Sequence, residues 1–122
     1  MSSTPRTPQA GEVWYVDFDP QVGREQAGIR PALVLSNGRF NRALNGLIIA
    51  APITGTDRGV PVHLRVEAGT GGLTKTSFIL CDQTGAFSDQ RFLRYRGEVD
   101  AEVLLTARQI AGRFIDAHLI HR

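Results

Sequence analysis

The stretch Gly11-Glu12-Val13-Trp14-Tyr15-Val16-Asp17-Phe18 decides the fold class. Trp14, Val16 and Phe18 fall on one side of a two-residue repeat and Val13, Tyr15 and Asp17 on the other, which predicts a β-strand. Downstream, Asp19 to Arg30 carries Pro20, Gly23 and Gly28 among charged residues and reads as a long loop. Pro31 then opens a second apolar run, Ala32 to Leu35. Gly46 to Ile53 is continuously apolar, as a strand buried on both faces would be. Val60 to Val66, Thr76 to Cys81 and Leu93 to Val99 alternate, the last with Leu93, Tyr95 and Val99 inward and Arg94 and Arg96 outward, and Ser88 to Phe92 fits one helical turn. At Asp100 the period changes: Val103, Ala107, Ile110 and Phe114 recur at helical spacing, and Asp100 is placed to cap the helix. Six short strands and one closing helix predict a compact, strongly curved antiparallel β-barrel, mainly β with α, with the helix packed against it. A doubly wound α/β sheet is disfavoured, because no helices are expected between the strands.

Length and composition set the outer limits. A chain of 122 residues, 42% hydrophobic and 21% charged, is one ordinary globular domain. Met1 to Ala10 lacks an apolar core and is expected as a flexible leader ahead of a single domain over 11–122, not as a signal peptide. The longest apolar run, Leu47 to Ile53, falls far short of the roughly 20 residues that span a bilayer. A cytoplasmic location without membrane contact is expected. Cys81 is the single cysteine, so an intrachain disulfide and multi-cysteine zinc sites are excluded.

Candidate chemistry is narrow. His63, His118 and His121 form no metal-ligand spacing, and no nucleotide-binding glycine loop or nucleophile elbow is present, so neither metal nor cofactor is expected. Cys81, within an apolar strand, reads as packing. Basic residues are nearly all arginine, and Arg24, Arg30, Arg39, Arg42, Arg58 and Arg65 face only Glu25 and Asp57 over that segment. Guanidinium groups engage phosphate through two bonds, so this bias fits an anionic partner, although a GC-rich coding bias also yields it. Gly23-Arg24-Glu25-Gln26-Ala27-Gly28-Ile29-Arg30-Pro31 gathers two guanidiniums, a carboxylate and an amide between two strands. From residues alone it is either a solvated loop or an anion site.

The ordered set Gly11-Glu12-Val13-Trp14, Asp17-Phe18-Asp19-Pro20, Gly23 to Pro31, Ala32 to Ser36, Ala51-Pro52-Ile53-Thr54 and Cys81-Asp82-Gln83 resembles the MazF/PemK family of toxin ribonucleases. The resemblance covers nearly everything after the leader. It implies an SH3-like barrel of the CcdB/MazF type, a homodimer, metal-independent and sequence-selective cleavage of single-stranded mRNA, and a cognate antitoxin protein that blocks the site. By motif position Arg30 and Thr54 match the family's catalytic pair, Glu25 matches a loop carboxylate tied to activity, and Gln83 matches a polar position lining the RNA groove. Arg24 stands where relatives often have serine, and Thr84-Gly85-Ala86 where many have an arginine nearby. Arg24, Gln26, Gln83 and Phe18 are the expected RNA contacts. For Trp14, core packing is the favoured reading; for Phe18, core packing and base stacking stand about equal.

The chemistry is coherent with that resemblance. RNA supplies its own nucleophile, the 2'-hydroxyl, so cleavage needs charge stabilisation and proton movement. Arginine keeps its proton far above neutral pH, so Arg30 is expected as an electrostatic clamp and an acid toward the leaving oxygen. Glu25 is the base candidate, or orients Arg30. Two alternatives belong to other classes: a non-enzymatic poison resembling the CcdB relatives that bind DNA gyrase, and a plain RNA-binding barrel.

Overall fold

The computed structural model describes residues 6–19, 28–43 and 46–120, the side chains of 40, 42, 43 and 115–120 excepted. The strands are β1 (Glu12–Asp17), β2 (Ile29–Val34), β3 (Leu47–Thr54), β4 (His63–Val66), β5 (Ser77–Leu80), β6 (Gly85–Ser88) and β7 (Phe92–Glu98). A short helix α1 (Gly38–Ala43) precedes β3, and α2 (Ala101–Ile120) follows β7. Every pairing is antiparallel, in the order β4-β5-β3-β2-β1-β7, with β6 also on β3. Strand β3 serves three neighbours in turn: β6 along Leu47 to Ala50, β2 along Ala50 to Pro52, and β5 at Ile53 and Thr54. A strand shared in this way has to bend, and the bend curls the sheet toward the expected barrel.

Alternation along the strands divides the interior into two cores. Val13, Leu33, Ala51, Ile53 and Ile79 face α2, where Ala107 and Ala111 are buried against them. Trp14, Val16, Phe18, Ala32, Val34, Ile48, Ala50 and Phe92 form the second core on the opposite face. As expected for its end of the chain, the helix is capped by Asp100, whose Oδ1 accepts a hydrogen bond from the Val103 amide at 3.0 Å.

Among the described residues seven strands form where six were expected. β6 was missed because Gly85-Ala86-Phe87-Ser88 has turn composition and becomes a strand only by pairing with β3. The 3-10 turn Asp89–Arg91 is the helical turn expected within Ser88 to Phe92, whereas α1 and the two other 3-10 turns, Thr70–Gly72 and Cys81–Gln83, interrupt the strands where no helix is expected. Leu93 and Tyr95, expected inward, are exposed: β7 is an edge strand whose register against β1 shifts twice, which resets its facing. Phe114 is exposed as well, since burial along α2 ends at Ala111. Where Thr70–Gly72 crosses β7, Gly72 has φ 75°, and a Cβ there would sit 2.4 Å from the Arg96 carbonyl oxygen.

The segment preceding β1 is held by side chains. Buried Glu12 accepts from Arg6 Nη2 at 2.5 Å, from the Gln9 amide at 2.9 Å and from Trp14 Nε1 at 2.9 Å. Asn41 Nδ2 donates to the Pro8 carbonyl at 2.7 Å.

Candidate functional site

The two ends of the segment between β1 and β2 are tied together before the site begins. The Asp19 amide donates to Asp17 Oδ1 at 2.9 Å, an Asx turn that ends β1. Asp19 Oδ1 accepts from the Gly28 amide at 2.8 Å, and the Phe18 amide donates to the Gly28 carbonyl at 2.9 Å. Gly28 has φ 77°, a conformation glycine adopts without steric cost. Strand β2 therefore starts at Ile29, three residues before the expected Ala32, and Arg30 lies on a strand paired with Val16 and not in the loop. Pro31 is tolerated because β2 pairs with β3 only from Ala32 onward, so on that side it is still an edge.

The register then brings Arg30 and Thr54 to one place. Ala32 pairs with Pro52 and Leu33 with Ala51; the pairing ends there, and the same register extended two residues past the last pair aligns Arg30 with Thr54. Thr54 pairs with Phe78, and Phe78 with Arg65. Residues opposite one another in antiparallel strands share a face, so Arg30, Thr54, Phe78 and Arg65 form one row over β2, β3, β5 and β4. That face is the one opposite α2. Thr54 is only 5% exposed, and its Oγ1 accepts from the Thr56 amide at 3.2 Å. Arg30 and Arg65 are exposed at the two ends of the row, Arg65 with Nη1 2.6 Å from Glu67 Oε2. Lys75 lies over the turn after Thr54, its Cε 2.4 Å from where a Cβ on Gly55 would stand. Absence of a side chain at Gly55 is what lets that ammonium group approach. Neither Arg65 nor Lys75 was singled out from the sequence as a site residue. Only strand pairing and a bare glycine bring them close, and neither leaves a local signal.

Other expected site residues fall elsewhere. Arg24, Glu25 and Gln26 lie outside the described residues. Phe18 is 1% exposed and packs edge-on against Phe87 with ring centroids 5.1 Å apart, so the stacking role drawn for it has no open ring face; Trp14 is core, as favoured. Gln83 sits half-buried in the 3-10 turn Cys81–Gln83 after β5, with Oε1 buried and without a hydrogen-bond partner. His63 has a side chain 3% exposed, and its Nε2 is 3.0 Å from Asp82 Oδ1. Cys81 is buried packing, its thiol pushed up to about 11 by burial first and the Asp82 charge second. Among the described residues no three His, Cys, Asp or Glu side chains are grouped to hold a metal ion. A cavity of about 950 Å³ opens beside Trp14, Phe92 and Tyr95, and neither Arg30 nor Thr54 lines it.

Fold and site together define a class: a small curved β-barrel with a helix on one face and, at the end of the other, a hydroxyl flanked by cationic side chains, the arrangement that suits an extended anionic ligand. The model of the PemK-like, MazF-like toxins of type II toxin-antitoxin systems matches residues 9–114. Endoribonuclease EndoA of Bacillus subtilis is 33% identical over 95 residues, 77% of this chain and 82% of that protein. Endoribonuclease MazF9 of Mycobacterium tuberculosis is 36% identical over 99 residues, 77% and 84% of the two chains. In solved structures, MazF from Deinococcus radiodurans superimposes with a TM-score of 0.81 at 32% identity, covering 92% of this chain and 99% of that one. The chain belongs to the PemK-like, MazF-like toxin family.

Proposed function

We propose that this chain is an endoribonuclease, the toxin of a type II toxin-antitoxin pair, which cuts single-stranded mRNA at selected sequences without a metal ion. The observation that supports the reading is the β2–β3 register, which, extended two residues past its last pair Ala32–Pro52, aligns Arg30 with Thr54. The 2'-hydroxyl oxygen attacks the adjacent phosphorus, the bond from phosphorus to the 5'-oxygen breaks, and the products end in a 2',3'-cyclic phosphate and a 5'-hydroxyl. The 2'-hydroxyl proton passes to a base, for which Glu25 is the candidate, and the departing 5'-oxygen takes a proton from the Arg30 guanidinium. Arg30 also stabilises the charge growing on the non-bridging oxygens, while Thr54 Oγ donates to one of those oxygens. Arg24, Gln26 and Gln83 are the proposed RNA contacts. DNA lacks the 2'-hydroxyl and is bound without being cut.

The partners in this reading are a second copy of the chain and an antitoxin protein. Support for the antitoxin comes from MazE-MazF complexes of Deinococcus radiodurans, one with a TM-score of 0.75 at 27% identity. A cytoplasmic site of action belongs to the same reading; among the described residues no helix is long and apolar enough to cross a membrane. The test is incubation of the purified protein with a long transcript in EDTA. Fragments with 5'-hydroxyl ends are expected. Intact RNA that is merely retarded would favour a binding module, and untouched RNA with inhibited gyrase would favour the CcdB-like alternative.

A further inference from the structure

Arg91 ends the 3-10 turn Asp89–Arg91 that joins β6 to β7. That turn is fixed at both ends: the Asp89 amide donates to the Gly46 carbonyl at 2.6 Å, and Phe92, the next residue, pairs with Val16 of β1. Its side chain lies on the β7 side of β1, while Arg30 pairs with the same Val16 from the β2 side. Nη1 of Arg91 donates to two backbone carbonyls, Asp17 at 3.0 Å and Asp19 at 2.5 Å. The first oxygen belongs to the last residue of β1 and the second lies two residues beyond it, both more than seventy residues earlier in the chain. The contacts continue from there: the Asp19 carboxylate holds the Gly28 amide, and Arg30 follows two residues later.

Arg91 is half-buried and directs its charged donor at two main-chain oxygens. Asp17 is the last paired residue of β1 and Asp19 lies beyond it, so a charged donor to both carbonyls fixes the direction in which the chain leaves β1 and returns to β2. We propose that Arg91 is a positioning residue for RNA cleavage: through Asp19 it clasps the ends of β1 and β2 and so fixes the place of Arg30 relative to Thr54. The inference rests on the ribonuclease reading and extends it to a residue that touches neither RNA nor the reacting atoms. Displacing a catalytic group by about 1 Å can cost a hundredfold in rate, which gives the clasp a catalytic consequence without a contact to substrate.

The experiment compares Arg91→Met, Arg91→Lys and Asp19→Ala with the wild-type chain in steady-state cleavage, and follows amide exchange at Phe18 and Gly28 by NMR. Arg91→Met keeps the apolar stem; it is expected to lower kcat tenfold or more with KM within about twofold, and to speed exchange at both amides about tenfold. Both bonds come from one nitrogen, so Arg91→Lys is expected to restore most of kcat. Asp19→Ala removes a negative charge from beside the RNA site, which simple electrostatics would turn into tighter RNA binding, yet the clasp requires kcat to fall. A raised KM with a salt dependence shallower by about one unit, and kcat intact, would make Arg91 a phosphate contact and overturn the proposal. Unchanged kcat in Arg91→Met and Asp19→Ala overturns it too. A wild-type chain that cuts no RNA removes the ribonuclease reading itself, an outcome distinct from either.

Discussion

Replacing Thr54 with valine separates the stability of the barrel from its chemistry, because valine keeps the shape and branching of threonine and removes one hydroxyl. The side chain is 5% exposed, at the last residue of β3, and its Oγ1 accepts from the Thr56 amide at 3.2 Å. Thr56 is exposed, so its freed N–H finds water. The loss in folding free energy is then about 1 kcal/mol or less. If the hydroxyl donates to a phosphate oxygen as charge develops, removing it costs about 2.7–4 kcal/mol of transition-state stabilisation, a hundredfold to a thousandfold in rate. The two magnitudes differ enough to be read independently, one by urea unfolding and the other by counting new 5'-hydroxyl ends on a long transcript with time. Thr54→Ser supplies the complement: it keeps the hydroxyl, loses about 0.8 kcal/mol or more with the buried methyl, and stays within about tenfold of wild-type cleavage. Cleavage by Thr54→Val within about threefold of wild type, roughly 0.65 kcal/mol, with the fold intact, would refute the assignment of Thr54.

Arg30→Ala is expected to lower cleavage at least a hundredfold while changing unfolding free energy by no more than about 0.5 kcal/mol, since Arg30 is exposed at a strand end; the same two assays check it. Glu12→Ala leaves the Trp14 indole N–H and the Gln9 amide without their acceptor inside the protein, and should cost about 2–4 kcal/mol in a denaturant titration. The Cys81 thiol is raised in the fold from its ordinary 9.0 to about 11. Its contribution to stability is therefore full below pH 9 and is lost as pH rises toward 11, because the unfolded chain ionises first. Wild type should lose stability over that interval faster than Cys81→Ala, as urea midpoints at pH 8 and pH 10 would show; equal slopes would contradict the burial of the thiol.

Local pattern accounts for the parts that were legible in advance. Two-residue alternation along Glu12 to Phe18 and helical spacing after Asp100 are properties of neighbouring residues, and both produced the expected elements. The lone cysteine could be read as packing for the same reason, since an apolar neighbourhood shows in the chain itself. Motif order pointed to Arg30 and Thr54 together, although nothing near either residue says that the strand register aligns them. By contrast, Phe18 reads as equally open to base stacking and to packing, because alternation tells which residues share a face and not what covers that face. Phe87, contributed by a later segment, covers it.

The sequence by itself determined the class of fold, the closing helix, the family and the identity of the candidate catalytic pair, because each rests on residue type, spacing or order along the chain. Tertiary structure alone decided what depends on contacts between distant segments. The bend of β3 between β2 and β5 brings Arg65 into the row with Thr54. The bare turn at Gly55 admits Lys75, and the reach of Arg91 across β1 closes the ends of the strands that carry the site. Register and side-chain reach arise only when strands far apart in the chain pair, and no local spacing encodes them.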